Sequence, residues 1–362
     1  MAIFLVIFSH FTATRGFSPP SWWTLIFQGN LGVRIFFVIS GLLITYLLLV
    51  EADRRGHASL RAFYTRRALR ILPVYFLYLA VVAALTAVGL YTDTATTWIG
   101  SLTFTRDFTG RSASLTGHYW SLSVEEQFYL VWPVTMVALR LWRRPRVAVG
   151  ILLVPVALCP ILRSGIVQAL WPNWWVDRAL NVFSIARYAD SLAIGCLGAF
   201  AYRAYRDRLK HVASPAILGV ALAVFIVAAG IEVQSTAAVA GAVLPLVEAV
   251  ALLCAILVTI ERPAGYFYRL LNAKPVVWLG LLSYSLYVWQ ELFLSYSAGP
   301  ILSAWPVYDW RVWWLPAVAC ACVSYYFVER PILRIKDRLR AGEGAHAVPG
   351  QAGRPWARSR AG

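Results

Sequence analysis

Apolar runs of about 18 to 22 residues recur along almost the whole chain, separated by short polar stretches. A helix rises 1.5 Å per residue, so roughly 20 apolar residues cross the ~30 Å hydrocarbon layer of a bilayer. The pattern predicts ten helical spans, near 1–11, 31–50, 72–91, 119–139, 147–162, 180–201, 215–230, 237–260, 276–294 and 313–328. The predicted fold class is all-α, a polytopic membrane helix bundle of about ten transmembrane helices. The first run is too short to cross as it stands. No charged segment precedes it and no small-residue cleavage site follows, so it does not read as a secretory signal.

The polar stretches are short, and no soluble domain or fixed-period repeat interrupts the spans. The longest stretch on the predicted outer side, 92–118, is rich in Thr, Ser and Gly and long enough to shape a binding surface. In 59–70, Leu60, Phe63 and Tyr64 form one stripe with Arg61, Arg66, Arg67 and Arg70 elsewhere. That predicts an amphipathic helix in the inner interface, ended where Pro73 opens the next span. Residues 341–362 are mostly Gly, Ala, Pro and Arg with little to bury. They read as a disordered basic cytoplasmic tail behind a membrane domain of 1–335.

A 60% share of hydrophobic residues, 14% charged residues and a mean hydropathy of +0.64 exclude an ordinary soluble composition. The net charge of +16 would suit nucleic acid, but its distribution does not. Alternate loops hold 25 Lys and Arg on one side against six on the other. That asymmetry predicts both termini on the cytoplasmic side. The charge then orients the chain and meets anionic lipid, and no nucleic-acid partner is expected. The five cysteines all fall in apolar runs without metal-ligand spacing, so no metal is expected.

The chemistry gathers in the stretch His118-Tyr-Trp-Ser-Leu-Ser-Val-Glu-Glu-Gln-Phe-Tyr-Leu-Val-Trp-Pro133, where two adjacent carboxylates, two serines and a histidine open an apolar segment. Charge at membrane depth costs a few kcal/mol or more and marks a functional site by default. Ser123 and Glu126 match a capping box, which accounts for both structurally. Glu125 points about 100° away, so Glu126 is expected to build the helix start while Glu125 faces a reaction centre. Ser121 shares a face with Glu125 only if the helix begins a turn earlier. His118 either assists an acceptor or caps a loop.

His10, in an apolar helix, suits a general base, or else a packing histidine bonded to a neighbouring helix. His57, His211 and His346 fall on polar loops or the tail and are expected to be solvated. Arg67 and Arg70 share a helix face, where guanidinium forks suit phosphate oxygens; Arg66 reads as positive flanking. Arg34 is a buried charge that needs a partner, with Glu125 one candidate. Arg187 and Asp190 are spaced to pair with each other, and Glu291 reads as an interfacial cap.

Four segments together resemble the acyltransferase 3 family of multipass inner-membrane O-acyltransferases. They are Phe8-Ser-His10, Leu31-Gly-Val-Arg-Ile-Phe-Phe-Val-Ile-Ser-Gly-Leu-Leu-Ile44, Phe63-Tyr-Thr-Arg-Arg-Ala-Leu-Arg-Ile-Leu-Pro73 and Trp120-Ser-Leu-Ser-Val-Glu-Glu-Gln-Phe-Tyr-Leu130. Weaker echoes follow at Arg187-Tyr-Ala-Asp190, in 279–290 and at Val328-Glu-Arg-Pro331. The resemblance implies transfer of an acyl group, usually acetyl, from cytoplasmic acetyl-CoA or another acyl-CoA to a hydroxyl, often on a sugar of an extracytoplasmic glycan. It makes His10 the expected base and Arg67 and Arg70 the expected ligands of the donor's phosphates. Glu125 would then orient the base or stabilise the transition state. Arg34, His118, Ser121, Ser123 and Glu126 are expected to bind substrate or support the site.

The acyl-CoA enters as a co-substrate, and no cofactor is expected to stay bound. The family pairs its histidine with a basic residue eleven positions earlier, a position that falls upstream of Met1, so either the natural start lies earlier or the chain is truncated and its activity doubtful. It often has His where Gln290 stands, so Gln290 is assigned no role. Some members add a soluble esterase-like domain, a function that here would need a separate soluble partner acting on the glycan. Two other readings stay open. The acceptor is a small glycosylated natural product such as a macrolide, or the chain transports lipid-linked sugars.

Overall fold

The computed structural model describes residues 2–10, 20, 22–23, 27–109, 114–173, 185–235, 237–262, 265–294, 312 and 314–334. Each predicted span coincides with a helix: α1 (Ala2–His10), α2 (Gly29–Arg55), α3 (Leu60–Ala87), with the short α4 (Ala95–Leu102) between spans, then α5 (Tyr119–Ala138), α6 (Pro145–Arg163), α7 (Ile185–Val212), α8 (Pro215–Gln234), α9 (Ala238–Glu261), α10 (Lys274–Leu294) and α11 (Trp314–Ser324). No strand occurs among the described residues. By length and composition, five of these helices can cross a membrane: α2, α3, α6, α8 and α9. The others are shorter or more polar. The predicted tail, 341–362, lies outside the described residues.

Local chemistry starts and stops the helices. Ser59 caps α3 by accepting the Ala62 N–H at 3.3 Å, and Ser214 caps α8 ahead of Pro215 in its first turn. Gly56 ends α2 at φ 76°, where a side chain would be strained. The expectation of a separate interfacial helix before Pro73 is not met: 59–70 forms the first turns of one continuous α3, with Pro73 inside it. A proline forfeits one backbone hydrogen bond there, but the residues before it stay helical because they pack inward. Phe63 is buried, and Tyr64 donates its hydroxyl to the Leu130 carbonyl of α5 at 2.8 Å.

Helices in lipid gain little from apolar burial alone, so small residues and polar contacts decide which faces meet. α2 lies against α1, α7 and α9, with α6 packed on α7 and α8 on α9. On the other side α10 packs on α3 and α11. α1 touches both α2 and α10, and α5 touches α2 and α3, so these two helices form the seam between the groups. At the α2–α7 crossing Gly41 and Gly195 bring backbone against backbone; a Cβ on either would strike a carbonyl of the other helix. Leu43, Leu130, Val131, Val220, Ile226 and Val239 remain exposed on the outer faces, as lipid contact requires.

Described residues of the polar stretch before α5 are tied to α3 and to one another by hydroxyl hydrogen bonds. Tyr75 donates to the Ser101 carbonyl at 2.5 Å, and Tyr78 to that of Leu115 at 2.6 Å. Tyr91 and Ser114 both donate to Asp93, at 2.5 and 2.6 Å. Burial acts to raise the Asp93 carboxyl, but these hydroxyls and the Thr94 N–H outweigh it and hold it below its ordinary range. The 3₁₀ turn Arg106–Phe108 lies beneath with Arg106 and Asp107 buried, and burial pushes Asp107 up to about 6.

Candidate active site

α5 begins a full turn before the predicted capping box. Hydrogen bonds from Gly117 N–H to Ser114 and from Tyr119 N–H to Thr116 wind the chain into the helix at Tyr119. Ser123 therefore lies inside the helix, donating to the Tyr119 carbonyl at 2.9 Å and accepting the Arg106 N–H at 3.2 Å. Glu126 caps nothing and pairs with Arg67 at 3.3 Å. The early start does place Ser121 and Glu125 on one face, and Ser121 hydrogen-bonds the Tyr287 hydroxyl of α10.

Glu125 is enclosed, and its partners differ from those expected. It takes Arg67 at 2.9 Å, the Ser40 hydroxyl at 2.8 Å and the Tyr129 hydroxyl. The Arg67 guanidinium also stands 3.5 Å from the centre of the Tyr129 ring, a cation–π contact. Arg67 thus joins two carboxylates on α5 to a cleft of about 250 Å³ at the arginine-rich ends of α2 and α3. Arg54, Arg55, Arg66 and Arg70 line that cleft with Glu51, which pairs with Arg66 at 3.2 Å. Arg67 and Arg70 both line this cleft, and two glutamates already hold much of Arg67's charge.

A second cluster forms at the start of α5. His10, the last residue of α1, places Nδ1 3.5 Å from Glu291 Oε2 in the last turn of α10. His118 Nδ1 lies 3.9 Å from the same oxygen. His118 is buried edge-on to Tyr78, Tyr119 and Tyr287, and the Tyr287 hydroxyl donates to its carbonyl at 2.9 Å. His10 Nδ1 and Glu291 Oε2 have no hydrogen-bond partner among the described residues. Glu291 is therefore no interfacial cap. The rule that an apolar span does not carry a carboxylate without reason could have singled it out.

Arg34 does not meet Glu125. It pairs with Glu232 of α8 at 2.9 Å and with Glu248 of α9. Six residues separate Arg34 from Ser40, about 120° around α2, so the face carrying Arg34 turns to α8 and α9 while Ser40 reaches α5. Arg187 and Asp190 do not pair either. Asp190 takes Arg163 of α6 at 2.6 Å, and Arg163 also donates to the Arg187 carbonyl at 2.6 Å. His57 and His211 are exposed as expected, and His346 lies outside the described residues.

A family model described as an acyltransferase domain matches residues 1–329. The chain is similar to the peptidoglycan O-acetyltransferase OatA of Listeria monocytogenes, 27% identical over 336 residues that cover 84% of this chain and 51% of that protein. It is also 26% identical over 328 residues to YrhL of Bacillus subtilis, covering 84% of this chain and 50% of the relative. The chain thus spans about half the length of these relatives. No solved structure matches it.

Proposed function

Because the chain belongs to the acyltransferase-domain family, we propose that it is a multipass inner-membrane O-acetyltransferase moving acetyl from cytoplasmic acetyl-CoA to a sugar hydroxyl of an extracytoplasmic glycan, of the peptidoglycan class. The observation that carries the reading is the course of α5, which links an arginine-lined cleft to a buried histidine cluster. About two turns of helix separate His118 from Glu125, a rise near 10 Å. The donor's phosphates would bind Arg70, Arg66 and the unshared N–H groups of Arg67, with its thioester reaching inward along α5. Glu125 and Glu126 hold Arg67 in place. In this reading Glu125 supports the donor side, while Ser121 and Ser123 hold α5 against its neighbours and Arg34 braces α2 against α8 and α9.

His10 takes the proton of the acceptor hydroxyl, and the oxygen attacks the thioester carbonyl. The ten-span bundle with both termini cytoplasmic puts the arginines on the donor side, which the 25 to 6 charge asymmetry supports. The test uses membrane vesicles given acetyl-labelled acetyl-CoA and peptidoglycan fragments. Label should pass to the saccharide, His10→Ala should lower turnover by about 10²–10⁴, and Arg70→Ala should weaken donor binding. Near-normal turnover in the His10→Ala protein would overturn the assignment of the base.

A further inference from the structure

The base proposed for the reaction sits beside a carboxylate that the sequence pattern does not connect to it. His10 is about a third exposed, its side chain at 34%, yet Nδ1 is buried and faces Glu291 Oε2 at 3.5 Å. The open part of the ring is therefore on the side away from Nδ1. Glu291 itself is largely enclosed, its side chain 15% exposed. The cluster is completed by His118 just ahead of α5, Tyr287 from α10 and Arg106 from the 3₁₀ turn, whose charge acts on Glu291. Nδ1 of His10 and Oε2 of Glu291 have no hydrogen bond among the described residues, and of the two histidine nitrogens facing that oxygen His10 Nδ1 is the nearer.

We propose that Glu291 is the positioning residue for His10, accepting its Nδ1–H and so leaving Nε2 unprotonated toward the acceptor. The inference rests on the base role proposed for His10. In the step, the acceptor O–H bond breaks and an N–H bond forms at Nε2. The oxygen's electron pair joins the thioester carbon, the C–S bond breaks, and the coenzyme A thiolate leaves and takes up the proton carried by His10. In its carboxylate form Glu291 stabilises the imidazolium between those events. Fixing the tautomer and the ring orientation is how a carboxylate acts on a histidine base, and its amide replacement can cost up to about 10⁴ in kcat. His118 Nδ1 lies 3.9 Å from the same oxygen, further from it than His10.

The experiment compares wild type, Glu291→Gln and Glu291→Asp in full-length chain in vesicles, with acetyl-CoA as donor and peptidoglycan fragments as acceptor. The glutamine keeps the shape and loses the charge. It should lower kcat by about 10²–10⁴, leave KM for acetyl-CoA within about twofold, and move the acid limb of kcat/KM to lower pH by about one unit or more. Glu291→Asp should recover at least about tenfold over glutamine. A second readout needs no transfer: diethyl pyrocarbonate modification of His10, followed by mass spectrometry, should show the same movement of its acid limb. A glutamine variant within about threefold of wild type, or an acid limb that does not move in either readout, would overturn the role of Glu291. Vesicles that transfer no acetyl but show the modification limb moving would refute the acetyl-transfer reading and leave the Glu291–His10 coupling standing. Should Glu291→Gln fail to insert, the aspartate variant carries the comparison, and unaltered rate and modification profile there would count against the proposal.

Discussion

Replacing Arg67 by alanine removes one cation from a site holding two carboxylates. Glu125 is the sensitive partner, because its side chain is only 1% exposed and its remaining partners, the Ser40 and Tyr129 hydroxyls, are neutral. Glu126, at 19%, is closer to water and loses less. Truncating one member of a buried ion pair costs about 3–5 kcal/mol, mostly for the charge left behind. Loss of the guanidinium from the Tyr129 ring, 3.5 Å away, adds a further ~0.5–2 kcal/mol. These contributions share atoms and do not simply add, so about 4 kcal/mol is the expected loss. The assay is denaturant unfolding of the protein in nanodiscs at neutral pH, run as a double-mutant cycle with Glu125→Gln. The amide keeps an acceptor for Ser40 and discards the charge. Arg67→Ala/Glu125→Gln should therefore recover half or more of the lost stability while donor binding stays weak. An Arg67→Ala protein within about 1 kcal/mol of wild type would refute the reasoning, as would a Glu125→Gln change that deepens the loss.

Two further outcomes follow from the same contacts. A double-mutant cycle between Arg34 and Glu232, read by unfolding in nanodiscs, should give a coupling of about 0.5–3 kcal/mol, against a value near zero for Arg34 and Glu125; the reverse order would move Arg34 to α5. Asp107 has its carboxyl pushed up to about 6 by burial, although Gln127 donates to it at 2.9 Å. The fold therefore favours the protonated form, and that contribution is complete below the unfolded pKa near 3.8 and is lost as pH rises through about 6. Asp107→Asn should raise the melting temperature at pH 8 and leave it nearly unchanged at pH 4. Equal effects at both pH values would show that the carboxyl is not titrating in this window.

The helices were legible because a long apolar run leaves the chain little choice. Every backbone polar group at membrane depth must bond within its own segment, so a long apolar run becomes a helix whatever surrounds it. Local pattern did worse wherever a neighbouring helix competed. Ser123 and Glu126 carry the spacing of a capping box, yet Arg67 and the Arg106 N–H claim them and the helix starts at Tyr119. The segment 59–70 has an amphipathic stripe, yet Phe63 and Tyr64 bind it into α3 as continuous helix.

The sequence by itself determined that the chain is helical with long apolar runs, that its basic residues gather in particular polar stretches, and that His10, Arg67 and Glu125 are titratable or charged groups close to apolar segments. Partnership was decided only by the tertiary structure. Glu291 stands 281 positions from His10 along the chain and meets it because α1 lies against α10. Arg34 finds Glu232 and Glu248 rather than Glu125 because its face of α2 turns to α8 and α9. Charge that is expensive in a low-dielectric interior must be paired, but Coulomb's law fixes only that a partner exists. Which partner it is depends on how the helices rotate and cross, and those angles are set by contacts such as Gly41 against Gly195 that no local pattern contains.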